Sequence, residues 1–151
     1  MSFDEFAERV GPRLRAGLVA AYGPEVGAEA TAEALAYGWE HWSRVGVMAN
    51  PAGYLYRVGQ TATRKARRPQ GFLPAPTSLQ CPDFEPALLP ALEALSEMQR
   101  CCVVMVHAYG WTHTEVAELL DINPSTVRTH LARGLARLQQ RFEVAHHGNQ
   151  P

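Results

Sequence analysis

The 151-residue sequence predicts an all-α protein of two small helical domains, three helices in the first and four in the second, joined by a Pro-rich linker. The second domain includes a helix-turn-helix. Three observations predict this. Apolar residues recur at intervals of three and four, with no run of strand-type alternation and no internal repeat. Helix-start signals of the Ser/Thr-x-x-Glu/Gln and Asn-Pro types punctuate those segments. Six of the eleven prolines fall within residues 69–90, and proline removes a backbone donor and turns its predecessor away from helix. These signals place the first domain at 1–68, the linker at 69–85, the second domain at 86–145 and a disordered tail at 146–151.

Helix one starts at Ser2, whose spacing to Glu5 makes a capping box. Phe3, Phe6, Val10, Leu14 and Leu18 form its apolar stripe, and Gly11-Pro12 predicts a kink. Helix two starts after Gly23-Pro24 and is expected to reach about Val45. It is rich in Ala, with Leu35, Trp39 and Trp42 as bulky residues, and helical spacing assigns both tryptophans to the core. Asn50-Pro51 reads as N-cap and first position of a third helix, which ends in the basic run before Pro69. Beyond the linker a short helix covers about 86–95. Ser96 to Gln99 is a second capping box, opening a helix over 97–109 that Gly110 ends. Thr112 to Glu115 is a third, opening a short helix with Val116, Ala117, Leu119 and Leu120. Asp121-Ile122-Asn123 forms the turn. Asn123-Pro124 then opens a long helix with Val127, Leu131, Leu135 and Leu138 on its buried side.

Composition narrows the function classes. The apolar content of 46% and charged content of 19% suit a folded chain, not a disordered one. No apolar run approaches the ~20 residues of a membrane span, and the N-terminus lacks a basic-then-apolar signal pattern. The three cysteines show no CxxC spacing, so neither a disulfide framework nor a zinc site is expected, and the expected address is a reducing cytoplasm. His107 and His113 flank Gly110 without a Cys or acid to complete a metal site. Cys101-Cys102 read as small core residues. No phosphate-cradling Gly loop, HExxH or nucleophile elbow is present, so an enzyme and a cofactor are not expected.

The net charge of −1 conceals an alternation. Residues 1–43 carry three Arg against seven acids, 44–68 six bases and no acid, 69–121 one Arg against seven acids, and 122–151 four Arg against Glu143. Two basic blocks in a nearly neutral chain suggest two contacts with one polyanion, since local field attracts phosphate. Residues 112–141 have the form of a helix-turn-helix, with small Ala117 at the helix crossing. With Val127, Leu131 and Leu135 buried, the opposite face carries Ser125, Thr126, Arg128, Thr129, Ala132 and Arg133. Small near its N-terminus and armed with arginines, that face suits the major groove.

These residues resemble the sigma factors of bacterial RNA polymerase, in the compact extracytoplasmic-function group. The resemblance lies in Leu95-Ser96-Glu97-Met98-Gln99-Arg100, Gly110, Glu115-Val116-Ala117 and Ser125-Thr126-Val127-Arg128, which follow the family's fourth-region pattern. Arg133-Gly134-Leu135-Ala136-Arg137-Leu138 closes it. In the first half, Leu35, Trp39, Trp42, Asn50-Pro51 and Tyr54-Leu55-Tyr56-Arg57-Val58 resemble the end of the second region. The resemblance covers about residues 3–68 and 86–142. It implies that Ser125, Thr126, Arg128, Thr129 and Arg133 read the minus-35 element of duplex promoter DNA. It implies likewise that Tyr54, Arg57, Gln60, Thr61, Arg64 and Lys65 engage the minus-10 element, with Arg67 and Arg68 holding phosphates. Core RNA polymerase and an anti-sigma protein are the implied protein partners, and Glu29, Ala32 and Glu33 the implied polymerase-binding residues.

The chain departs from the pattern at five positions. Glu29 and Ala32 fall where the family has an Asp and a Gln that help hold the polymerase. Thr61 stands where many members have an Asn that captures a promoter base, and Lys65 where they often have an acid. Ser96 replaces a usual Pro. The departures at Glu29, Ala32 and Thr61 motivate a second reading, a DNA-binding regulator of sigma ancestry that does not recruit core polymerase in the usual way. A third is a protein-interaction module whose two domains fold against each other or against an inhibitor.

Overall fold

The computed structural model describes residues 1–65 and 88–147. The described residues form eight α-helices and one π-helical turn, with no strand among them. Helix α1 (Phe3–Tyr22) opens on the expected capping box: the Ser2 hydroxyl accepts the Glu5 N–H, and the Glu5 carboxylate accepts the Ser2 N–H. Where Gly11-Pro12 predicts a kink, the helix continues through Pro12 as one element. Gly23, at a φ of 91° that side chains rarely adopt, turns the chain directly into α2 (Pro24–Glu40).

The buried face of α2 consists of Gly27, Ala30, Thr31, Ala34 and Gly38. These small residues let α2 lie close on α1, and a Cβ on Gly27 would stand 2.5 Å from the Val19 Cα. Helix two was expected to reach Val45, but His41 (φ −116°, ψ 23°) leaves helical geometry and Trp42–Val45 form a separate short α3. Trp42 is partly buried, its ring 5.5 Å from Phe3 and 4.8 Å from Phe6, and its indole N–H donates to the Met1 carbonyl. Trp39 overturns its core assignment, for it is 69% exposed. It follows Gly38, which occupies the buried face, and one residue turns a helix by about 100°. Helix α4 (Pro51–Lys65) buries Gly53, Leu55, Tyr56, Gly59 and Thr63 and packs on α1, α2 and α7, with Gly53 on the α7 side.

The second half begins with α5 (Leu88–Glu93). The capping box of Ser96 and Gln99 is present and opens α6 (Glu97–Val103). The expected helix to residue 109 instead widens into a π-helical turn at Val104–Ala108 before Gly110 (φ 71°) stops it. Helix α7 (His113–Leu120) opens on the box of Thr112 and Glu115. Helix α8 (Pro124–His147) takes in His146 and His147, which were expected to be tail. Its buried stripe is Val127, Leu131, Gly134 and Leu138. Gly134 takes the place expected for Leu135, which is 39% exposed. The reason is closeness: even a Cβ at Gly134 would meet Val103 Cγ2 at 2.8 Å.

The two halves share one core. Leu14 and Leu18 of α1, Tyr56 of α4, Cys101 of α6 and Leu119 of α7 belong to the same buried cluster. Cys101 and Cys102 are buried, as expected of small core residues, and burial pushes their thiols up to about 12 and about 11. None of the described helices is long and apolar enough to cross a membrane.

Gly27→Ala forces its methyl group onto the α1 backbone, which cannot yield as a side chain can. Overpacking of this kind costs about 1–3 kcal/mol. Urea denaturation of Gly27→Ala should show a lower midpoint with an unchanged slope.

Candidate nucleic-acid interface

The turn before α8 is fixed by backbone chemistry. Asp121 adopts the left-handed conformation (φ 54°, ψ 48°), and the Ile122 N–H reaches back to the Ala117 carbonyl at 3.0 Å while the Asp121 N–H reaches Glu118. This pair of bonds is a Schellman ending, in which a polar Asp tolerates the position more readily than a branched residue would. Pro124 then opens α8, with the Asn123 carbonyl accepting the N–H groups of Thr126 and Val127. Val127 is fully buried, which turns Ser125, Arg128, Thr129 and Arg133 outward; Thr126 is half-buried. The Thr129 hydroxyl donates to the Ser125 carbonyl at 3.1 Å. No acid lies in the first turn. Four of the five residues singled out on this helix therefore lie on one open face, with Thr126 half-buried, and that face can offer hydroxyls and guanidinium groups to a groove.

The face of α4 is arranged differently. Asn50 caps it: its side-chain oxygen accepts the Gly53 N–H at 2.9 Å, and its amide nitrogen donates to the Glu118 carbonyl of α7 at 2.6 Å. The Arg57 guanidinium is paired with the Asp121 carboxylate, so a residue expected on DNA faces the turn of the helix-turn-helix. Tyr54 is half-buried beside Tyr37, with the two hydroxyls 3.3 Å apart, and the Arg44 guanidinium donates to Tyr37. Hydrogen bonding to Tyr37 raises the Tyr54 pKa. Thr61, Arg64 and Lys65 are exposed and Gln60 half-buried, with the Thr61 hydroxyl turned back to the Arg57 carbonyl. Gln60 and Arg64 line a cleft of about 390 Å³ with Tyr56, Glu97, Met98 and Cys101. Arg67 and Arg68 lie outside the described residues.

On α2, Glu29, Ala32 and Glu33 are exposed together with Glu25 and Glu40. Trp39 joins this acidic face, two turns beyond Ala32. The seven-residue interval from Ala32 is the signal that could have placed it there.

Sequence reasoning also missed the residues that fasten the halves. Arg100, only 8% exposed, donates from Nε to the Ala20 carbonyl at 3.3 Å and from its terminal nitrogen to Ala21. Burial draws its pKa down, and Glu97 nearby opposes that shift. Arg13 pairs with Glu115 at 2.5 Å and lies 5.0 Å from the centre of the Trp111 ring. The Glu115 pKa is lowered by the Thr112 N–H of the capping box and then by Arg13. The Cys101 thiol reaches the Gly17 carbonyl and the Tyr56 hydroxyl, both at 3.7 Å.

Comparison with known proteins agrees with this geometry. Residues 87–138, from α5 to the middle of α8, match the family model of sigma-70, region 4. The chain as a whole has the fold of a sigma factor. It is similar to the sigma factor RpoE of Bartonella quintana, solved in complex with the anti-sigma factor NepR, at 20% identity and a TM-score of 0.61. That match covers 94% of this chain and 97% of the other. Both findings bear out the resemblance to sigma factors. No curated protein sequence matches the chain.

Arg100→Met keeps most of the side-chain length and removes every donor. It leaves two carbonyls at the end of α1 unpaired, at a cost of about 1–3 kcal/mol. A stability loss in that range by chemical denaturation is expected, and an unchanged midpoint would show that Arg100 does not fasten the seam.

Proposed function

We propose that this chain is a transcription initiation factor of the extracytoplasmic-function sigma type, which joins core RNA polymerase and directs it to specific promoters. The observation that carries the reading is the open face of α8, with Ser125, Arg128, Thr129 and Arg133 exposed within the residues that match region 4. In this reading residues 1–68 and 86–145 are the two working domains. The second reads the minus-35 element through Ser125, Thr126, Arg128, Thr129 and Arg133. The first engages the minus-10 element through Tyr54, Arg57, Gln60, Thr61, Arg64 and Lys65, with Arg67 and Arg68 on phosphates. The exposed acidic face of α2, with Glu29, Ala32 and Glu33, is the polymerase contact. The Bartonella sigma factor was solved with an anti-sigma factor, and a partner of that kind is proposed here as well.

A second reading is a DNA-binding regulator of sigma ancestry, favoured by Glu29, Ala32 and Thr61 at positions where the family carries other residues. Pull-down with core polymerase followed by run-off transcription on genomic fragments separates the two. Core binding with promoter-specific transcripts is the expected result. Retained duplex binding without core binding would establish the regulator instead.

Two substitutions test the assignment of roles. Arg128→Ala should weaken binding to the selected upstream sequence by about 1–3 kcal/mol and relax its base preference, as loss of a base contact does. Binding selection on random duplexes reads both effects. Replacing Arg67 and Arg68 with Ala should lower affinity for all sequences and reduce the salt slope by about two, one for each phosphate contact.

A further inference from the structure

The cleft of about 390 Å³ between α1, α4 and α6 has a build that DNA contact does not explain. Sites for small molecules run from about 300 Å³ upward, so it has room for one compound of modest size. Its inner wall is apolar. Ala21, Tyr56 and Cys101 are almost fully buried there, and Met98 is half-buried. The polar ends of two of these residues are spent on each other and on α1. The Tyr56 hydroxyl and the Cys101 thiol lie 3.7 Å apart, and the thiol also donates to the Gly17 carbonyl. Burial pushes that thiol up to about 12, so it carries no charge at neutral pH.

The remaining lining is polar and carries both signs. Arg64 of α4 is exposed, Glu97 of α6 is half-buried, and Gln60 and Ser96 stand with them. Ser96 Oγ accepts the Gln99 N–H, which leaves its own O–H to donate, and the Gln60 amide offers a donor and an acceptor together. On this side the Tyr22 hydroxyl is buried near Gln60 and Glu97 without a partner of hydrogen-bond geometry. A buried hydroxyl left in that condition is uncommon.

The two charges decide the class of ligand. A simple anion drawn to Arg64 meets Glu97, and a simple cation drawn to Glu97 meets Arg64. Beside an apolar wall an unmatched charge is costly, because little water remains to solvate it. We propose that the cleft binds a small zwitterion of the amino-acid class. Its carboxylate lies on Arg64, its ammonium group on Glu97, and its apolar side chain against Ala21, Tyr56 and Met98. The site stands whether the chain recruits polymerase or acts as a DNA-binding regulator.

The test uses the full chain with leucine, methionine, phenylalanine and tryptophan, and with glycine as the ligand that lacks an apolar body. Saturation-transfer NMR detects binding and calorimetry measures it. At least one of the apolar amino acids should bind with a Kd below about 1 mM, and glycine about tenfold more weakly or worse. For the amino acid that binds, the analogue without its amine and the analogue without its carboxylate should each lose about tenfold, as a charge-assisted hydrogen bond disappears. Arg64→Gln should weaken the amino acid by a similar factor without weakening the amine analogue, which has no carboxylate to lose. Glu97→Gln should do the converse with the acid analogue. General damage to the fold would weaken both ligands together.

If none of the apolar amino acids binds below about 1 mM, the proposal is wrong. It is equally wrong if glycine or the single-charge analogues bind as tightly as the amino acid, or if both substitutions leave the affinity unchanged. Arg64 is exposed, so Arg64→Gln decides alone should Glu97→Gln unfold.

Discussion

One buried guanidinium sets how the two halves of this molecule meet. Helix α1 ends with no basic residue in its last turn, so its final carbonyls lack a cation of their own. Arg100 supplies it from α6, donating to Ala20 and Ala21. A buried charge of this kind is tolerable only when it is hydrogen-bonded, and a helix C-terminus offers carbonyls and negative potential together. The contact fixes α6 at the end of α1. With that register set, Cys101 falls against Gly17 and Tyr56, and Leu119 enters the space that Gly17 leaves without a side chain.

The helix starts were legible because capping is local. Ser2, Ser96 and Thr112 each bond the residue three positions on, and no tertiary contact is needed for that chemistry. The open face of α8 was legible too, since Val127 and Leu131 orient the helix whatever it packs on. Trp39 and Leu135 were misplaced for one shared reason. On α2 and α8 the buried stripe passes through a glycine, Gly38 or Gly134, and bulk is a poor guide where helices touch this closely. The surface of α4 was legible in residue type but not in setting. Nothing in the spacing of Tyr54, Arg57 and Asn50 announces that Tyr37, Asp121 and Glu118 meet them from elsewhere in the chain.

The charge alternation acquires a second meaning from this arrangement. Arg57 belongs to the first basic block and Asp121 ends the second acidic one; Arg13 and Glu115 likewise come from distant parts of the chain. Acidic segments that look like mere balance in the sequence lie opposite bases in the fold. Asp121 has two tasks at one position. Its backbone takes the left-handed turn that aims α8, and its carboxylate holds Arg57.

That double role couples the aim of α8 to the contact between the halves. An anion offered to Arg57 would have to compete with the Asp121 carboxylate for the same guanidinium, a charge-assisted contact at an exposed site. The Arg57–Asp121 pair is exposed and contributes little, so the joining of the halves rests on the buried contacts of Arg100, Cys101 and Gly17. None of those contacts involves Ser125, Arg128, Thr129 or Arg133, which are exposed. The open face of α8 and the exposed Thr61, Arg64 and Lys65 of α4 are therefore both accessible while the halves are joined.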